Sequence, residues 1–336
     1  MRSLPPVVPG AATAVALCAV LALTAPAAHA DGKPGNDGFT IEDPRVTESS
    51  GLVASRAHPG VYWTHNDQDK GAFLYAVDSR TGRTVATITM TGVGTPRDVE
   101  AISMGPDGDL YVGDIGDNLG GKWSFVWVYK LPEPKELKDQ RIRATQYVVK
   151  YSDGPRDAEA LMVHPRTGRV YIADKKEDGG SLYEGPPVAR MSTSRPNVFE
   201  RVATTDLWVT DGAFSPNGRQ LALRGYFGGV SFRWEGAGKI KREGRLSVPL
   251  QRQGESVAYS PDGTRLMYGT EGEASDVEPV DVKGVGRPAG AADDAGGDGD
   301  GGNEGISGNY KKGILVAGAA LLAVIGLKRL FRRSGG

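Results

Sequence analysis

A hairpin built around a turn proline recurs five times between Ser50 and Glu271, and this repetition limits the fold more than any other feature. Four copies align closely: "EAISMGPDGDLYVGD" from Glu100, "EALMVHPRTGRVYIAD" from Glu159, "TDGAFSPNGRQLALR" from Thr210 and "ESVAYSPDGTRLMYGTE" from Glu255. A looser one, "SGLVASRAHPGVYWTHND", runs from Ser50 to Asp67. Proline, Asp, Asn and Gly form the turn, and short apolar runs on either side read as two antiparallel strands. The turn prolines stand at 59, 106, 165, 216 and 261, with spacings of 47, 59, 51 and 45 residues.

A period of roughly 40 to 50 residues with about four short strands per period specifies a β-propeller. Third and fourth strands are expected at "SFVWVYKL", "ATQYVVKYS", "VSFRWEG" and "GRLSVPL". The expected class is all-β: a five-bladed propeller over residues 39–285, with six blades the alternative because the 59-residue spacing is long. The last copy is followed by one clear strand, "VEPVDV", while "FTIEDPRV" stands alone ahead of the first. Pairing that N-terminal strand into the last blade closes the ring and removes its open edge.

The two ends do not belong to this core. Residues 1–30 read as a signal peptide: Arg2, an apolar stretch, then "AHA" before Asp31. Cys18, the one cysteine, lies inside it, so the mature chain has no disulfide to stabilise it. Residues 286–310 are Gly/Asp-rich and read as a flexible linker. Residues 311–331 read as a transmembrane helix, built on the uncharged run Gly313–Leu327 between Lys311, Lys312 and a cluster of Lys and Arg. Residues 332–336 then form a short cytoplasmic tail. The expectation is a single-pass cell-membrane protein with an extracellular, monomeric ectodomain. A formal charge of -1 argues against a nucleic-acid partner.

Acids gather at the outer ends of each hairpin. Because the strands run antiparallel, the start of the first and the end of the second share one face, opposite the plain face that carries the proline turns. The shared mouth collects Asp67, Asp98, Glu100, Asp114, Asp117, Asn118, Asp157, Glu159, Asp174, Asp211 and Glu255, with His65, Asn66, Glu271, Lys175, Lys176 and Arg224. Crowded carboxylates repel unless protons, arginines or cations intervene. Oxygen ligands alone point to Ca²⁺ or Mg²⁺, with "DIGDN" and "HNDQD" the densest loops. The competing reading is structural: Asp and Asn side chains capping turns and accepting backbone amides.

Other chemistries are less well supplied. The mature histidines are His58, His65 and His164, and two of them precede a turn proline, so a His-rich zinc site has no basis. A triad would have to join His65 to Ser49 or Ser50 without a nucleophile elbow. Trp63, Trp123, Trp127, Trp208 and Trp234 could form a sugar platform, but Trp127 and Trp234 fall in alternating strands where packing between blades is expected.

The stretches "DVEAISMGPDGDLYVGDIGDN" and "RDAEALMVHPRTGRVYIADKKEDGGSLYEG" resemble repeat units of bacterial β-propellers of the broad WD-repeat-like class. The second is similar to units of the propeller phytases and of the family described as having esterase-like activity of phytase. The resemblance spans most of residues 40–280. It implies mouth carboxylates that bind Ca²⁺, which holds substrate phosphates with help from lysines and arginines. Asp157 and Glu159 would be the acidic start of a blade, and Asp174, Lys175 and Lys176 its charged rim. The family's Asp-Asp-Pro-Ala element is replaced here by Asp157, Ala158, Glu159 and Ala160.

Two functions follow. The first is a tethered binding module that presents its mouth, with Ca²⁺, to an extracellular protein, polymer or small ligand. The alternative is a Ca²⁺-dependent phosphoester hydrolase, with Glu159, Lys175, Lys176 and Arg224 as catalytic candidates. No organic cofactor is expected.

Overall fold

The computed structural model describes residues 35–67, 71–236 and 238–282. The segments expected to form a signal peptide, a linker, a transmembrane helix and a tail lie outside the described residues. Among the described residues no helix is long and apolar enough to cross a membrane.

Short strands alternating with tight turns give antiparallel sheets. After β1 (Phe39–Thr40), taken up below, the first sheet is built on the run β2 (Leu52–Ala54), β3 (Val61–Thr64), β4 (Phe73–Asp78) and β5 (Thr84–Thr91). Next come β6 (Val99–Met104), β7 (Asp109–Asp114), β8 (Val126–Pro132), β9 (Gln140–Arg143) and β10 (Thr145–Tyr151). They are followed by β11 (Ala158–Val163), β12 (Val170–Asp174), β13 (Ser181–Glu184) and β14 (Asn197–Thr204). The fourth group is β15 (Val209–Phe214), β16 (Gln220–Gly225), β17 (Gly228–Gly236) and β18 (Lys239–Leu246). The last is β19 (Gly254–Tyr259), β20 (Arg265–Thr270) and β21 (Asp276–Asp281).

The recurrent hairpins are β2–β3, β6–β7, β11–β12, β15–β16 and β19–β20, each with its proline in the connecting turn. Gly108 illustrates the turn: at φ +80° it takes a left-handed conformation that a residue with a Cβ adopts only under strain. The first strands of these hairpins touch in a closed cycle, β2 to β6 to β11 to β15 to β19 and back to β2. This ring around a channel makes the domain a β-propeller.

Closure depends on the N-terminus. Strand β1 pairs antiparallel with β21, Phe39 opposite Val277, so the last sheet runs β1-β21-β20-β19. Of "FTIEDPRV" only Phe39–Thr40 pairs as strand, yet Ile41 and Val46 are also buried and carry the closure inward. Strand β18 differs from expectation, starting at Lys239 rather than in "GRLSVPL" and ending at Leu246. Its register follows β17, with Trp234 opposite Ile240 and Gly229 opposite Leu246.

The extra length between the second and third copies lies in the β8–β10 connection. Within it β9 pairs in parallel with β5, and β10 pairs in parallel with β14. Neighbouring outer edges are thereby stitched together, an arrangement without a counterpart in the repeat pattern.

Five hydrophobic clusters lie between successive sheets. The one between the last and first sheets joins Phe39, Ile41 and Val277 to Leu52, Tyr62 and Val77. The others lie between the first and second, second and third, third and fourth, and fourth and fifth. Three tryptophans serve this packing: Trp63 is fully buried, Trp127 packs against the cluster between the first and second sheets, and Trp234 packs edge-on against Tyr171 and Phe214.

Phe39→Ala empties the closing cluster and should cost about 3 kcal/mol in denaturant unfolding of the full chain. Val85→Ala, at a position 38% exposed, should cost under about 0.5 kcal/mol. Equal midpoints for the two variants would show that the closure does not contribute to stability.

Candidate functional site

Each hairpin brings its two ends together, as the antiparallel register requires: Val99 lies opposite Asp114, and Ala158 opposite Asp174. What the register adds is a recurrent slip. One residue is extruded between Val99 and Ala101, between Ala158 and Ala160, between Val209 and Asp211, and between Gly254 and Ser256. The extruded residues are Glu100, Glu159, Thr210 and Glu255. A bulge bends its strand and re-aims the extra side chain. All four belong to first strands of the ring and all are buried, so the bulges form one layer at the channel mouth.

Lys175, which follows β12, sits within this layer. Its Nζ lies 2.5 Å from Glu159 Oε1 and 5.4 Å from the centre of the Tyr226 ring. Burial pushes Glu159 up to about 7, against the pull of Lys175, and Glu255 up to about 8. Burial also raises Glu100 well above the ordinary carboxylate range, and the negative charges of Asp67, Glu159 and Asp98 add to the effect. The layer therefore holds more acid than its lysine can neutralise.

Asp67, Asp98 and Glu100 form the tightest group, each with a carboxylate oxygen within 4.8 Å of the others. Asn118 positions Asp98 by donating its Nδ2 to Oδ2 at 2.8 Å, so it acts behind the group. Gly116 makes room for it: a Cβ there would lie 2.7 Å from both Asp98 Oδ2 and Glu100 Oε1. Burial raises Asp98 to about 6. Among the described residues no group donates a hydrogen bond to Glu100. Three hard oxygen donors suit Ca²⁺ or Mg²⁺.

The remaining expected site residues have structural partners. Asp114 accepts from the Arg97 and Asp98 amides and, at 2.6 Å, from the Tyr129 hydroxyl. Asp117 accepts from the Leu119 and Trp123 amides, and Asp157 from the Asp117 amide. Asp174 holds the Ser181 amide. Asp211 binds its neighbour Gly212 and, across the sheets, Val257. Arg224 is fully buried and donates to Ser256 O, Gly269 O and Gln251 Oε1, so its guanidinium joins two sheets instead of facing a substrate. Lys176 is exposed at the rim.

Ser49 bonds the Thr64 hydroxyl, and His65 directs Nδ1 at Asn66 O, so neither shows triad geometry. On the turn face, His58 donates to Pro134 O and His164 to Gly218 O, tying neighbouring connections together. Arg97 stacks between Trp123 and Trp127, 4.0 and 3.8 Å from the ring centres, which engages those two rings.

Sequence reasoning passed over Thr210 in favour of Asp211. The signal was available: the extruded residue stands six positions before the turn proline in each of these four hairpins, at 100, 159, 210 and 255. Tyr226 had no such signal, because it matters through a contact with Lys175 on another sheet.

No protein-family model matches this chain, and no curated protein matches it. Among solved structures it is similar to one described as "Structure of U3-55K", at 11% identity over 74% of this chain and 100% of that chain, TM-score 0.38. Another, described as "Crystal structure of RRP9 WD40 repeats", is 11% identical over 74% of this chain and 99% of that one, TM-score 0.39. The hydrazine synthase of Kuenenia stuttgartiensis is 14% identical over 67% of this chain and 56% of that chain, TM-score 0.37. The propeller assignment stands on the strand pairing and ring closure.

Buried acids whose folded pKa is raised bind protons more tightly in the native state, so stability falls as pH rises towards that pKa. His65, lowered to about 4 by burial, acts in the opposite sense between about 4 and 6.5 and is then complete. Between about pH 6.5 and 8, in chelator, the melting temperature should therefore decline. Glu255→Gln should reduce that decline and raise the melting temperature at pH 8. An unchanged slope in the variant would mean that Glu255 is not charged at the expense of the fold.

Proposed function

We propose that this protein is a five-bladed binding propeller that works through its carboxylate mouth, with Ca²⁺ held by Asp67, Asp98 and Glu100. The observation that carries the reading is the grouping of those three carboxylates within 4.8 Å around a buried Glu100 that accepts no hydrogen bond from a described residue. A cation there would replace the protons that burial otherwise forces onto the acids. Glu159, Glu255 and Lys175 form the adjoining charged floor, on which an extracellular protein, polymer or small ligand would dock.

In this reading the propeller stands outside the cell membrane, anchored by residues 311–331. Extracellular modules bind Ca²⁺ with Kd values of roughly 10⁻⁴ to 10⁻³ M, which three carboxylates and water can supply. Binding is favoured over phosphoester hydrolysis by the use made of the cations. Lys175 is paired with Glu159, and Arg224 is bonded to backbone carbonyls, so of the three cationic candidates only Lys176, exposed at the rim, is left for a phosphoryl group.

Thermal melting of the full chain in Ca²⁺ and in chelator tests the site. At free Ca²⁺ of about 100 times Kd the gain should be about 2.7 kcal/mol. Glu100→Gln should abolish the gain, and Lys176→Met should keep it. Superimposable wild-type curves would eliminate the cation. Hydrolysis across a phosphoester panel that is lost in Glu159→Gln would replace the binding reading with the enzymatic one.

A further inference from the structure

The turn face, read from the sequence as plain, holds a cavity of about 440 Å³. It is the other end of the same channel: its lining comes from β2, β6, β11, β15 and β19 and from the prolines of four turns. None of Asp98, Glu100, Glu159 and Glu255 contributes to it. Its volume lies in the range of small-molecule sites, about 300 to 1,000 Å³.

The wall is mixed, its apolar part supplied by Val53, Ile102, Met104, Val163, Ala213 and Phe214. Its polar groups are already engaged. Ser55 donates to Glu133, Ser103 accepts from the Val163 amide, and Ser260 donates to Asp262. Arg56 is different: it lines the cavity, is exposed, and its guanidinium makes no ion pair with a described carboxylate. Its Nη1 donates to Gly105 O at 2.9 Å. The carboxylate of Glu133 does not pair with the guanidinium; its oxygens accept from Ser55 Oγ, Trp63 Nε1 and the Arg56 and Ala57 amides.

We propose that this cavity binds a free small molecule with an apolar body and a single anionic group, the body against the channel wall and the anion at Arg56. Two independent features support it: a concave space of ligand size with an apolar stretch of wall, and a guanidinium on its lining that makes no ion pair with a described carboxylate. The site is separate from the mouth and does not depend on the Ca²⁺ reading.

The test uses two dyes with the same fluorophore, dansylglycine (anionic) and dansylcadaverine (cationic), titrated into the full chain. Dansylglycine should bind saturably, with emission enhanced on leaving water, and about tenfold more tightly than dansylcadaverine, as expected of one charge-assisted contact. Arg56→Gln should weaken dansylglycine about tenfold and remove the preference. Ala213→Trp and Met104→Trp fill the cavity from different strands and should abolish binding; if one does not fold, the other decides, and the surface change Arg56→Gln does not share that risk. Binding should be the same in Ca²⁺ and in chelator. Equal affinity for the two dyes, binding that survives the filling variants, or dependence on Ca²⁺ would overturn the proposal. So would displacement of dansylglycine by a peptide with an apolar C-terminus but not by 4-phenylbutyrate, since the occupant would then be a polypeptide.

Discussion

Hydrophobic packing between successive sheets is the constraint on which the rest of this protein depends. A four-stranded twisted sheet has two faces to cover, and here each is covered by the next sheet of the ring. A linear stack would leave the first and last faces wet. The cluster of Phe39, Ile41, Leu52, Tyr62, Val77 and Val277 removes that exposure by joining the chain's beginning to its last hairpin. The strand β1 is two residues long, and its importance comes from where it lies.

A closed ring can tolerate electrostatic strain that a looser fold would relieve. Glu100, Glu159 and Glu255 are buried on adjacent or nearby first strands, and burial opposes their ionisation. Around them other acids act as fasteners: Asp114 secures the start of its own hairpin, and Asp211 reaches the Val257 amide of the next. The same residue type thus serves two ends. Asp114 and Asp211 hold the ring through amide hydrogens, whereas Asp98, itself held by Asn118, gathers with Asp67 and Glu100 into one cluster of carboxylates.

Much of the architecture was legible because the repeats carry turn chemistry. Proline and glycine at fixed offsets marked the hairpins, and the antiparallel rule by itself places Asp98 beside Asp114. The separation of acids into fasteners and an open group was not legible, since Asp117 and Asp98 sit in equally acidic stretches of sequence. The difference lies in partners, the Leu119 and Trp123 amides for one and a cluster shared with Asp67 and Glu100 for the other. Likewise Arg224 resembled a rim cation, and only its neighbours show that it spans Ser256 and Gly269.

The amino-acid sequence by itself determined the hairpins, their order and the face on which acids collect, because turn propensity and strand alternation are local properties with short periods. The tertiary structure alone decided three things. The one-residue bulges aim Glu100, Glu159, Thr210 and Glu255 into one layer; the parallel pairings of β9 and β10 stitch the outer edges; and the channel opens into a cavity on the turn face. The bulges fix the register inside each hairpin, while the parallel pairings and the cavity arise from contacts between strands far apart in the chain, which depend on the closing of the whole ring and not on any segment's own preference.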